Sequence, residues 1–99
     1  MASSEKNYAN TPEFLFNILY DIVEMRKAVI TCEDDETLAI DTEMYGIKTE
    51  YLFRIIVSAS GTDVTIETDG DDENAERRIQ LMFATLDNMI EPFTGTVTG

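Results

Sequence analysis

The apolar residues of this 99-residue chain change their spacing twice, and this change constrains the fold more than any other feature. Between residues 10 and 26 they recur three or four positions apart, which is the period of an amphipathic helix. From residue 28 to residue 68 they mostly alternate with polar residues, which is the period of a strand. The helical period returns after residue 70. The spacing therefore predicts a set of strands between two helices.

Both helices have recognisable boundary signals. The first is expected over about residues 10–26, because Thr11 can cap its free amide groups and Pro12 suits the first helical position. The second is expected to present its apolar face at positions 75–90 and to end at Pro92. The apolar stripe of the first helix consists of Phe14, Leu15, Ile18, Leu19, Ile22 and Met25.

The strands between the helices are joined by short polar turns. We expect four strands, at residues 28–33, 37–44, 50–59 and 63–68. Short turns make consecutive strands antiparallel neighbours, and two amphipathic helices can then cover one face of the sheet. The predicted fold class is α+β. It is a two-layer sandwich in which a four-stranded antiparallel meander carries N- and C-terminal helices packed on one face, in the order helix-strand-strand-strand-strand-helix.

The length of the chain limits it to one domain, because two cores could not each bury enough surface. We expect that domain to span residues 10–93, with a flexible leader at 1–9 and a flexible tail at 94–99. The sequence contains no apolar run of the ~18 residues that a membrane span needs and no secretory signal, so we expect a cytoplasmic protein. Cys32, the only cysteine, is expected to be a buried thiol.

The charge of the chain restricts its partners. There are 20 acidic residues and 7 basic residues, for a formal net charge of −13. Direct binding to nucleic acid or to an anionic membrane is disfavoured, because both need a basic patch. The acids concentrate in residues 31–50 and 63–76. Two interpretations stay open, namely a solubility feature and recognition of a basic surface on a partner protein.

Two features that many enzymes use are missing from the sequence. It contains no histidine, which is the most common general base and transition-metal ligand. No phosphate-binding glycine loop is present. The acids from Asp69 to Glu73 are spaced like the start of a calcium loop, but Asn74 and Gln80 stand where that loop needs glycine and glutamate. We therefore expect a protein that is not an enzyme and holds no cofactor or metal.

Alternation within the strands predicts a polar sheet face opposite the helices, and we expect partner binding there. Carboxylates on neighbouring strands would lie ~4.8 Å apart, and those two positions apart on one strand ~6.6 Å, so they can approximate phosphate spacing. In size, acidity and lack of catalytic groups the chain resembles phage anti-defence inhibitors, such as anti-CRISPR proteins and DNA mimics, and bacterial immunity proteins. That resemblance implies an inhibitor that occupies a nucleic-acid-binding surface. The candidate acids are Asp41, Glu43, Glu50, Asp63 and Glu67 on this face, with Glu33, Asp34, Asp35 and Glu36 beside them.

An alternative function rests on apolar residues. Leu52 and Ile56 are expected among the acids of the polar face, and Tyr45 and Ile47 at the tip of a turn. Apolar centres with a charged rim are typical of protein interfaces. In class the chain also resembles the small acidic chaperones of type III secretion, which implies an adaptor that binds a protein segment. The leader or tail could instead fold over these residues, and the sequence does not specify the oligomeric state.

Overall fold

A computed structural model describes residues 2–44, 46–69 and 73–94 of the chain. They form one antiparallel sheet, in the order β1-β5-β4-β3-β2, and two helices. The elements are β1 (Ala2–Tyr8), α1 (Pro12–Arg26), β2 (Val29–Glu33), β3 (Thr37–Met44), β4 (Ile47–Ser58), β5 (Gly61–Thr68) and α2 (Glu73–Thr94). The chain thus begins with a strand, and the first helix follows it.

The predicted four-stranded meander with a helix at each end is wrong, because the sheet has five strands. Ala2–Tyr8, where we expected a leader, pairs antiparallel with β5 and brings Ser4 opposite Ile66 and Tyr8 opposite Thr62. Most side chains of β1 are small or polar, so alternation did not reveal the strand. Its backbone ladder with β5 and the burial of Tyr8, which is 8% exposed, place it in the sheet.

The first helix begins and ends as its sequence predicts. The Thr11 hydroxyl accepts a hydrogen bond from the Phe14 amide at 3.2 Å, and Pro12 occupies the first turn. Lys27 ends the helix in the left-handed conformation, with φ 54°.

We predicted that the second helix ends at Pro92, but it continues to Thr94 with the proline inside it. Proline at this position has no amide to donate to the Asn88 carbonyl, so the last turn lacks one helical hydrogen bond. The Phe93 ring packs edge-on against Phe14, with ring centroids 5.4 Å apart, which holds that turn against α1.

Together α1 and α2 form a helical layer on one face of the sheet. The first helix packs over β3 and β4, and the second over β1 and β5. Alternation along β4 places Val57 on the covered side, but it is 68% exposed, because it lies at the end of β4 near the turn into β5. The core includes the buried strand residues Leu38, Ile40, Tyr51, Phe53, Ile55, Val64 and Ile66 and the helix residues Leu15, Ile18, Leu19, Ile22, Ile79, Met82 and Leu86.

Two further expectations concern single residues and the tail. Cys32 is exposed, not buried, because β2 is an edge strand whose five residues are all accessible. Tyr45 and residues 95–99 of the predicted tail lie outside the described residues, as does the side chain of Ile47. Within the described part of the chain, neither helix is long and apolar enough to cross a membrane.

Candidate binding face

The sheet surface opposite the helical layer is the candidate site, and we call it the open face. Residues that are opposite each other in an antiparallel ladder point to the same side of the sheet, so the register identifies its members. They include Glu5 and Asn7 of β1, Asp63, Thr65 and Glu67 of β5, Lys48, Glu50, Leu52, Arg54 and Ile56 of β4, and Thr37, Ala39, Asp41 and Glu43 of β3. All five acids that we predicted for this face lie on it.

Two of these acids are direct neighbours. Asp41 of β3 lies opposite Glu50 of β4 in the ladder. Like charges in such a pair destabilise a sheet, whereas the next pair, Glu43 opposite Lys48, is complementary. The Glu50 carboxylate accepts a hydrogen bond from the Thr31 hydroxyl at 3.1 Å. The acidic pair therefore has one local stabilising contact.

A cavity of about 570 Å³ adjoins this pair at the start of β2. Carboxylates from the open face line one part of it, and the end of α1 lines another. Its residues are Arg26, Lys27, Val29, Asp41, Thr42, Glu43, Lys48, Thr49 and Glu50. The cavity therefore has a mixed lining, and its acidic part is continuous with the open face.

An arginine lies near the centre of the open face. Arg54 is opposite Thr37 on one side and Thr65 on the other, and its guanidinium lies 4.0 Å from the carboxylate of Glu67. Both side chains are accessible to water, so this ion pair contributes little to stability. Arg54 divides the acids into one group around Asp41 and a second group around Asp63.

The strand that sequence analysis missed extends the second acidic group. Glu5 accepts a hydrogen bond from the Thr65 hydroxyl at 3.2 Å, and the Asn7 amide donates one to Asp63 at 2.7 Å. The signal that could have indicated these residues is weak alternation in the first eight positions, where Ala2 and Tyr8 are the described apolar residues. Two such residues are too few to distinguish a strand from a polar leader.

Leu52 and Ile56 lie on the open face, as the alternative function requires. Leu52 is half-buried between Ala39 and Glu67, and Ile56 is 42% exposed opposite Asp63. The N-terminal segment does not fold over them, since β1 lies beside β5 in the plane of the sheet.

The acidic hairpin is only partly beside the open face. The Ile55 amide donates to the Glu36 carbonyl at 2.7 Å, which brings the hairpin close to the middle of β4. Asp34 instead stabilises the turn between β2 and β3, because its carboxylate accepts hydrogen bonds from the amides of Glu36 and Thr37 at 2.9 and 2.8 Å. Hydrogen bonds from Thr37 and these amides lower the pKa of Asp34.

Glu33 points to the helical layer and not to the open face. It lies opposite the buried residue Leu38 in the ladder between β2 and β3. Its hydrogen bond with the Tyr20 hydroxyl raises the pKa of that tyrosine. Of the four hairpin acids, Asp35 and Glu36 therefore have carboxylates that the described contacts leave available to a partner.

The described contacts of the titratable side chains on this face include no activated nucleophile. Among residues 2–44, 46–69 and 73–94, no three metal-ligating side chains come together in a way that could hold a metal ion. The arrangement can attract cations and donate or accept hydrogen bonds over a broad surface.

Comparison with known proteins identifies the fold. No protein-family model matches the sequence, and no curated protein matches it either. The X-ray crystal structure of protein MLL2253 from Mesorhizobium loti is similar, with a TM-score of 0.68 over 92% of this chain and 96% of that chain. The sequence identity between the two is 14%, so the similarity shows that they share a fold and nothing more about this chain.

Proposed function

We propose that this chain is a non-catalytic binding protein whose open face docks on a basic surface of a partner protein. The observation that carries the proposal is the cluster of carboxylates on one flat sheet surface, where Asp41 and Glu50 lie directly opposite each other in the ladder. The helical layer also carries acids, but Arg26, Lys27, Arg77 and Arg78 lie among them, and Lys6 contacts Asp87 of α2. The bases of the open face are Lys48 and Arg54, among Glu5, Asp41, Glu43, Glu50, Asp63 and Glu67.

A solubility role alone does not require this distribution. Acids that serve solubility can lie anywhere on a surface, and spreading them avoids repulsion between neighbours. Here Asp41 and Glu50 are directly opposite each other on a strand pair. A partner cation between them would convert this unfavourable pair into a favourable site.

The partner surface that fits best is one that binds nucleic acid. A strand pair spaces its side chains by ~4.8 Å across the ladder and by ~6.6 Å along it, comparable to the distances between backbone phosphates. The chain would then occupy the groove and exclude DNA or RNA by competing for the same cations. This is the action of an inhibitor that mimics a nucleic acid.

Two charge-reversed variants test the location of the site. One variant carries Asp41→Lys, Glu43→Lys and Glu67→Lys on the open face. The control carries Asp21→Lys, Glu24→Lys and Glu76→Lys on exposed positions of the helical layer. Each variant and the wild type would capture partners from a nuclease-treated lysate of the native host. We expect a partner that the wild type and the control both capture, and that the open-face variant captures at least about tenfold less. This partner would then be purified.

Competition with nucleic acid tests the mechanism. We expect the chain to displace DNA or RNA from the purified partner at low salt, and we expect raising the salt to weaken the complex steeply. Equal losses of binding in both triple variants would contradict the proposal, because total charge and not location would then matter. A ternary complex of chain, partner and nucleic acid would contradict the mimicry.

A second candidate function is supported by the exposure of Ile56. In that function the chain is an adaptor that holds a protein segment against Leu52 and Ile56, and the acids only surround the contact. Binding would then persist in about 1 M salt, where charges are screened beyond ~3 Å. It would be abolished by Ile56→Asp, whereas Val57→Asp, on a more exposed neighbour outside the open face, would leave it intact.

A further inference from the structure

The two edge strands of the sheet differ in how well their edges are protected. β1 carries Glu5 and Lys6, and α2 packs beside it. β2 has the sequence Val-Ile-Thr-Cys-Glu, and all of its residues are exposed, with Val29 63% and Ile30 38% accessible. Charged side chains, especially lysine, normally keep an exposed edge from pairing with another strand. β2 has a bulge between Ile30 and Cys32 but no lysine or proline, so its edge is open to a partner strand.

The residues around β2 have opposite charges at its two ends. Arg26 and Lys27 precede the strand, and the acids of residues 33–36 end it and follow it. An antiparallel partner with the same sequence would bring the basic end of each strand against the acidic end of the other, twice across a two-fold axis. A parallel partner would align like charges. The charges of β2 therefore complement those of an antiparallel second copy.

The side chains near the two ends of β2 are also chemically complementary. A groove of about 430 Å³ beside the end of β2 is lined by Phe16, Tyr20, Glu33, Asp34 and Asp35. Carboxylates and aromatic rings together suit an ammonium group. Lys27 is exposed at the other end of β2 and lines the neighbouring cavity. In an antiparallel pair, Lys27 of one copy would lie near the aromatic and acidic groove of the other.

We propose that β2 pairs antiparallel with β2 of a second copy, so that the chain forms a two-fold symmetric dimer with one continuous sheet. The axis of such a dimer is perpendicular to the sheet, so both open faces lie on the same side. The dimer does not depend on the function proposed above, but it would double the length of the acidic surface. Each copy has a net charge of −13, so the dimer needs enough salt to screen repulsion between the two bodies.

Sedimentation velocity at about 0.15 M salt, where the screening length is ~8 Å, tests the edge itself. The wild type should shift from monomer to dimer as its concentration rises. Val29→Lys introduces an edge-blocking lysine and should raise the dissociation constant at least about tenfold. Val57→Lys, the same change at an equally exposed position of β4, should leave it unchanged. A wild type that stays monomeric up to about 1 mM, or a dimer that survives Val29→Lys, would overturn the proposal.

A charge exchange tests the antiparallel arrangement. Lys27→Asp replaces the ammonium group that would meet Glu33 and Asp35 of the other copy with a carboxylate, and the double variant Glu33→Lys with Asp35→Lys replaces those two carboxylates with ammonium groups. Neither should dimerise alone, whereas an equimolar mixture should form a heterodimer, because each contact then joins opposite charges. Asp34 stays unchanged because its carboxylate holds the turn.

Circular dichroism would establish that each variant is folded. Lys27→Asn suits the left-handed backbone at that position and serves as a second variant, with a weaker dimer as its expected result. A mixture that dimerises no more than its separate components would overturn the antiparallel arrangement.

Discussion

The Tyr8 hydroxyl donates a hydrogen bond to the Asp87 carboxylate at 2.8 Å and thereby joins β1 to α2. Lys6, two residues earlier, forms an ion pair with the same carboxylate. Tyr8 is almost fully buried, whereas Lys6 and Asp87 are accessible to water. The hydrogen bond from Tyr8 is therefore the stronger of the two contacts that hold the first strand against the second helix.

Removing this hydroxyl should weaken the fold. We expect Tyr8→Phe to lower the free energy of unfolding by about 1 kcal/mol, because the ring stays buried but the hydrogen bond is lost. Urea denaturation at pH 7 measures the change. Tyr20→Phe, at an exposed tyrosine whose hydroxyl bonds to Glu33, should leave the midpoint unchanged. Equal losses of unfolding free energy in the two variants would show that the Tyr8 hydrogen bond contributes no more than that of the exposed Tyr20.

Alkaline pH should destabilise the protein through its buried tyrosines. Burial and the neighbouring Asp87 raise the pKa of Tyr8 far above its ordinary value of 10.0, and burial also raises the pKa of Tyr51. A raised pKa in the folded state favours the neutral hydroxyl. The neutral hydroxyl therefore stabilises the folded state fully at pH values below the pKa of tyrosine in the unfolded chain. This stabilisation is lost as the pH rises from that pKa towards the higher pKa of the folded state.

The melting temperature should accordingly fall between about pH 9 and pH 11. Tyr8→Phe should reduce this fall, because phenylalanine does not ionise. Thermal unfolding followed by circular dichroism at several pH values checks the prediction. Parallel curves for the variant and the wild type would mean that the folded and unfolded pKa values of Tyr8 are the same.

A glycine controls how closely β1 approaches the turn between β4 and β5. Gly61 has φ 140°, and a Cβ atom there would lie 2.2 Å from the Tyr8 carbonyl oxygen. Gly61→Ala should therefore destabilise the fold by about 1 to 3 kcal/mol, because the backbone itself must move. Gly46→Ala is the control. It also has positive φ, but nothing lies within 4 Å of its Cβ, so a loss of about 1 kcal/mol is expected. Urea denaturation should rank the variants in this order.

The Asp41 and Glu50 pair predicts opposite effects on stability and on binding. Asp41→Lys replaces a repulsive cross-strand pair with an attractive one and should raise the free energy of unfolding by about 0.5 kcal/mol. The same change should weaken binding to a basic partner. Asp21→Lys makes an equal change of charge on an exposed position of α1 and controls for the lower net charge. Urea denaturation at low salt and at about 1 M salt would show whether the gain is electrostatic.

Sequence patterns predicted the elements that are encoded locally. Thr11 and Pro12 marked the start of α1, and β3 has its predicted limits at Thr37 and Met44. Each depends on residues a few positions apart, so a single sequence contains the information. The open face followed in the same way, because alternation along a strand fixes which side chains share a side.

The features that sequence analysis missed depend on distant contacts. β1 has little apolar content and is placed by β5 and α2, so the weak alternation within Ala2–Tyr8 is too little to indicate it. The exposure of Cys32 follows from the position of β2 at the edge, which is a property of the whole sheet. Within the acidic hairpin, the sequence did not show that Asp34 holds the turn and that Glu33 points to Tyr20.

The pairing of β1 with β5 also has a consequence for the order of folding. Residues 29 to 68 form hairpins between consecutive strands, whereas the hydrogen bond from Thr65 to Glu5 spans 60 positions of the chain. Closing so long a loop costs more chain entropy than forming a hairpin, and contacts of this range slow folding. We expect β2 to β5 to assemble early and β1 to dock in a late step. In native-state hydrogen exchange, the β1 amides should then exchange through a partial opening that leaves the other four strands protected.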